Sequence, residues 1–113
     1  MSKKTRRSRG SKLGSFRQHA ESFDGITWKE ENRLRHLEYR PEVDFAVTLR
    51  LNWSRVKKRL DTEHPDDPPR FQALVGLDIR DPPLIFFVVY TKVAGLLNVI
   101  SVRLANAEER AIF

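Results

Sequence analysis

The stretch LIFFVVYTKVAGLLNVISVRL, residues 84–104, decides how this chain folds. It holds two apolar runs rich in β-branched and aromatic residues, separated by Thr91, Lys92, Val93, Ala94 and Gly95. That is the spacing of two antiparallel strands joined by a hairpin. A membrane helix is the rival reading. Lys92 sits mid-stretch, Asn98 and Ser101 follow, and neither run nears the roughly 20 apolar residues a bilayer span requires, so the strand reading prevails.

The second strand ends in charged chemistry. Ser101 and Arg103 lie two apart and share a face of the strand. Directly after them, Ala105-Asn106-Ala107-Glu108-Glu109-Arg110 reads as the start of a short helix, with Asn106 as N-cap and two acids in the first turn. Arg103 is then either a cation placed for use or a partner for Glu109 at the sheet edge, and spacing leaves both open.

Working outward, 113 residues make room for one small domain. The absence of cysteine excludes disulfides, thiolate metal sites and cysteine nucleophiles, and is compatible with a reducing, cytoplasmic setting. The net charge of +6 is unevenly spread: residues 1–20 carry seven cations and no acid, which leaves fourteen cations against fifteen acids in the rest. Any nucleic-acid site on the body must therefore be argued from local clusters. Residues 1–22 read as a disordered basic arm, suited to holding phosphates or to solubility alone, and residues 23–113 as the folded domain. No apolar segment of a secretory leader is visible, although the Arg- and Ser-rich start also has the composition of a transit peptide.

Thr27-Trp28-Lys29-Glu30 fits a capping box opening a helix to about Glu38, with Glu30, Leu34 and Leu37 on one side and Trp28, Asn32, Arg35, His36 and Tyr39 on another. Pro41 stops it, and the next stretch fits a second short helix or a strand about equally. Leu51–Val56 and Arg70–Asp78 read as strands, joined by an acidic, proline-rich loop holding Asp61 and His64. One histidine among scattered acids is a weak ligand set, so no metal site is expected. The architecture that results is α+β: a small antiparallel meander with the N-terminal helices on one face and a short C-terminal helix.

From Phe23 onward the chain resembles the BrnT family of small toxins from bacterial toxin–antitoxin pairs, a family of RelE-like fold. The residues carrying the resemblance are Phe23-Asp24 and Trp28; Asn32 with Arg35-His36; Asp61 and His64; Arg70-Phe71 with Gly76; Phe87-Val88-Val89-Tyr90-Thr91; and Val99-Ile100-Ser101-Val102-Arg103 with Ala105, Glu109 and Arg110. The chain departs from the family after His36, which leads into Leu37-Glu38-Tyr39-Arg40-Pro41, and at Asn106, where threonine is usual.

The resemblance implies a metal-independent endoribonuclease without cofactor, neutralised by a BrnA-like antitoxin, touching DNA only through that partner and not touching membranes. Such cleavage needs a base for the 2′-hydroxyl, cations for the charge building on the phosphate, and a proton for the leaving oxygen. Arg70 and Arg103 are the candidates to converge on the phosphate, with His36 as acid or base because imidazole titrates near neutrality. Tyr90, Ser101, His64 and Arg35 are the candidate substrate-binding residues. Two alternatives stand beside this: a non-catalytic module that binds nucleic acid through the basic arm, and a degenerate toxin, which the altered corner after His36 suggests.

Overall fold

Four consecutive residues of the central run, Ile85 to Val88, are buried, which is why the stretch shows no alternation: its strand is covered on both faces. The computed structural model describes residues 16–63 and 68–113. In it the strands are β1 (Arg17–His19), β2 (Gly25–Trp28), β3 (Asn52–Leu60), β4 (Arg70–Leu77), β5 (Leu84–Val93) and β6 (Leu96–Leu104). They form one sheet in the order β1-β3-β4-β5-β6-β2. All neighbours are antiparallel except β2 and β6, which run parallel. Helix α1 (Glu30–Tyr39) and a 3₁₀ helix (Phe45–Arg50) follow β2, and α2 (Ala107–Ile112) closes the chain.

The expected hairpin is present, with a shorter link than the sequence suggested. β5 continues to Val93 and β6 resumes at Leu96, leaving only Ala94 and Gly95 in the turn, both at positive φ (54° and 82°). That is the geometry matching the twist of a two-residue hairpin. At Gly95 (φ 82°) a side chain would be strained, and a Cβ would stand 2.5 Å from the Asp24 carboxylate, which would have to turn aside.

The two faces of the sheet are different. Phe45, Trp53, Val56, Ala73, Val75, Phe86, Val88, Tyr90, Leu97, Val99 and Val102 form the main core on the face covered by α1 and the 3₁₀ helix. Phe16, Leu74, Ile85, Phe87 and Ala105 form a smaller core on the far face, packed by Ile112 and Phe113 at the end of α2. The N-terminal helices thus share one face, as expected, and the C-terminal helix lies across the sheet from them. Its cause is local: after Leu104 the chain turns so that Ala105 N–H donates to Ile85 O (3.0 Å), which aims α2 at the far side.

Three further expectations need correcting. The fold begins before residue 23: β1 pairs with β3, Phe16 is 8% exposed and Glu21 is 7% exposed. Residues 1–15 of the expected arm lie outside the described residues, as does His64 in the loop after β3. Thr27 caps no helix. It lies in β2 opposite Asn98, Lys29 is the N-cap without a side-chain bond, and strand pairing has outcompeted the local capping signal. Nor does α1 dock as its spacing suggested. Asn32, Arg33, His36 and Leu37 face inward half-buried while Leu34 is 53% exposed, because α1 is held by polar anchors (Arg33 Nε donates to Asp44 Oδ1 at 2.8 Å) rather than by an apolar stripe. The ambiguous stretch after Pro41 is the 3₁₀ helix, capped by the Asp44 carboxylate accepting from Ala46 N–H.

Candidate functional site

Register decides which side chains can meet. Phe71 stacks on Tyr90 in the main core, so Arg70 and Gln72 point to the far face. Val89 pairs with Ser101 while Tyr90 pairs with Val99, which makes Ile100 an extra, bulged residue. That bulge reverses the alternation of β6. Val99 and Val102 enter the main core, and Asn98, Ser101 and Arg103 all go to the far face. From β3, Arg59 joins them: its Nε donates to Gln72 Oε1 (2.7 Å) and its guanidinium lies 4.3 Å from the Phe16 ring centre. The far face therefore carries Arg59, Arg70, Gln72, Asn98, Ser101 and Arg103 beside its small apolar cluster.

Arg70 and Arg103 share this face, as the sequence pairing required, but they do not converge. Their partners on β5, Thr91 and Phe87, are four residues apart, and the arginines stand two strands apart. That separates their backbones by about 13 Å along the strands and about 10 Å across them. Arg103 is also committed: Nη1 and Nη2 donate to the two Glu109 oxygens at 2.8 and 2.9 Å, and the guanidinium sits 4.1 Å from the Phe87 ring centre. Of the two readings of Arg103 the ion pair with Glu109 is the one observed. Arg59 is the cation sequence reasoning missed.

The end of β6 and α2 form one locked unit. Asn106 Oδ1 accepts from Glu109 N–H and Glu109 Oε1 accepts from Asn106 N–H, a complete capping box. Arg110 Nη1 donates to Ala105 O at 2.9 Å. Burial works to raise the Glu109 pKa, but the bonds from Arg103 and the Asn106 N–H outweigh it and hold the carboxyl below its ordinary range. Asn106 as N-cap was legible in the sequence; the Ser-x-Arg-x-Ala…Glu-Arg pattern is explained here by the lock between strand and helix.

His36 lies on the opposite face of the sheet from both arginines. β2 ends at Trp28 opposite Val99, so among the described residues no strand pairs with the edge of β6 beyond it, and His36 Nε2 accepts the Val102 N–H at 3.4 Å in its place. The ring sits edge-on to Phe45, 4.9 Å between centres, with Nδ1 buried and no hydrogen-bond partner among the described residues. Burial first, then the neighbouring Arg40, push its pKa below the ordinary value, against the opposing pull of Glu42 and Asp44. His36 packs against Phe45 on the helix face, away from Arg70 and Arg103.

Protonating Nε2 would remove the acceptor. The folded pKa lies below the unfolded one, so the unfolded chain takes the proton first and His36's contribution is lost as pH falls from about 6.5 through the folded value. His36→Gln should therefore flatten the fall in urea midpoint between pH 8 and pH 5; an unchanged slope would contradict this.

Tyr90 is sealed in the main core, its hydroxyl donating to Glu21 Oε2 at 2.5 Å, and burial pushes its pKa well up. It ties β5 to the segment before β2 from inside the core. Arg35 is exposed on α1, donating to Asn32 Oδ1 at 3.2 Å, and is not on the far face. Among the described residues no group of histidines and acids could hold a metal ion, and no helix is long and apolar enough to cross a membrane. No family model, no curated protein and no solved structure matches this chain.

Proposed function

We propose that this chain is the toxin of a type II toxin–antitoxin pair related to the BrnT family, and that it engages RNA on the far face of its sheet. One observation supports this most: three arginines, from β3, β4 and β6, stand on a single sheet face among Gln72, Asn98 and Ser101. Arginines and amides so placed suit phosphate oxygens and base edges. In this reading the chemistry is metal-independent cleavage, with Arg59 and Arg70 meeting the phosphate backbone and Arg103 rigidifying the surface. The reading brings with it a BrnA-like antitoxin, DNA contact only through that partner, and a cytoplasmic location.

A second reading, a toxin-like protein that binds RNA without cutting it, draws on a separate observation. His36 and Tyr90, two of the groups nominated for proton transfer or substrate contact, are withdrawn from the arginine face. Incubating the full chain with end-labelled RNA separates the two. The toxin reading expects fragments, formed at least tenfold more slowly by an Arg59→Ala/Arg70→Ala double variant that keeps its native circular dichroism. Binding without fragments at any protein concentration favours the second reading, and neither binding nor fragments rejects both.

A further inference from the structure

His36 stands where a strand would. Beyond Val99 no strand among the described residues pairs with the outer edge of β6, and the imidazole Nε2 takes the Val102 N–H instead. A ring nitrogen that accepts a bond carries no proton, so the neutral imidazole holds its proton on Nδ1. That atom is buried and, among the described residues, has no acceptor. Docking thus leaves one polar group unmet even in the neutral ring. A charged ring fits worse, because a proton on Nε2 would face the Val102 N–H donor to donor and strip it of its acceptor. The helix that carries this ring is lightly held. No residue of α1 is fully buried and none enters the main core cluster. Its other anchor, Arg33 on Asp44, joins side chains 25% and 38% exposed, and ion pairs so exposed contribute little.

We propose that α1 is a strap across the open edge of β6, latched by His36 and released when the imidazole takes a proton, which bares the edge from Ile100 to Leu104 while the sheet stays folded. The charges around the ring are mixed. Arg40 opposes a proton there, Glu42 and Asp44 favour it, and Arg33 offsets Asp44. Of the other elements packed there, β2 carries no titratable group, the Arg103 of β6 points to the far face, and the Arg50 of the 3₁₀ helix is exposed at its end. An unlatched ring titrates near the ordinary value of about 6.5 and the latched ring lower, so the open form takes the proton first and acid favours release. A bared strand edge presents N–H and C=O groups ready to pair with another extended chain. The switch is independent of what the far face engages.

Amide hydrogen exchange of the full chain, read residue by residue as protection factors at pH 8 and pH 5, tests this. The amides of Leu34 to Arg40 and of Val102 are expected to be at least about a hundredfold less protected than those of Val75 and Val88, through a local opening that low urea does not promote. Their protection should fall about tenfold from pH 8 to pH 5. In His36→Gln, which keeps an acceptor and cannot titrate, that fall should vanish. Protection of α1 equal to that of the sheet, or lost with urea in step with it, would mean that the helix leaves only on unfolding and would overturn the strap. No fall between the two pH values in the unaltered chain, or the same fall in His36→Gln, would overturn the latch.

Discussion

Glu21→Ala is expected to remove about 3–5 kcal/mol of unfolding free energy at neutral pH, a large part of what holds a domain this size together. The carboxylate is 2% exposed and accepts three bonds, from Lys58 Nζ at 2.8 Å, Lys92 Nζ at 2.9 Å and the Tyr90 hydroxyl at 2.5 Å. It ties the segment before β2 to β3 and β5. Without it two ammonium groups and a buried phenol lose their common acceptor. Burial alone would raise its pKa, but the bonds from Lys58, Lys92 and Tyr90 win and bring it down to about 2. Because that lies below the unfolded value, the unfolded chain binds the proton first, and this contribution is present above about pH 4.5 and lost as pH falls towards 2. Urea unfolding should therefore show the native chain losing stability between pH 5 and pH 2.5 far more steeply than the variant. A loss under 1 kcal/mol at pH 7, or parallel acid limbs, would refute the role given to Glu21.

Arg103→Ala is the second large effect, at about 3 kcal/mol. It leaves Glu109, whose side chain is 4% exposed, charged beside, among the described residues, the Asn106 N–H and the more distant Arg59, and it uncovers Phe87. The cost is that of a stranded buried charge, so removing both partners should be mild: Arg103→Met with Glu109→Leu is expected within about 1 kcal/mol of the native chain. Thermal or urea unfolding of the single and double variants checks this. If both were equally damaged, or the single variant harmless, the lock between β6 and α2 would not be what holds the terminal helix. Loss of activity in Arg103→Ala alone therefore cannot be assigned to chemistry unless the protein is shown to be folded.

The strands of the meander were legible because apolar, β-branched runs bounded by proline and glycine leave few other readings, and the N-cap at Asn106 because its signal is local. What escaped depended on distant partners. The bulge at Ile100 reverses which face of β6 carries Asn98, and nothing in the residue pattern marks it. β3 runs past Val56, where its reading stopped, because Lys58 and Arg59 occupy opposite faces of it, the Lys58 ammonium over Phe71 and on Glu21, the Arg59 guanidinium over Phe16. β1 looked like part of a disordered arm because it is three exposed residues, and its only apolar signal was Phe16. Arg59 was hidden in the same stretch, whereas His36 drew attention by its residue type although its work is to close the edge of β6.

In the proposed function RNA is met on the arginine face of the sheet and not on the helix face. Nuclear magnetic resonance titration of the labelled full chain with a short uncleavable RNA tests it most directly. The side-chain signals of Arg59, Gln72, Asn98 and Arg103 are expected to shift with RNA while the ring of His36 and the side chain of Arg35 stay in place. Shifts confined to α1 and His36, with the far-face signals unmoved, would contradict the account.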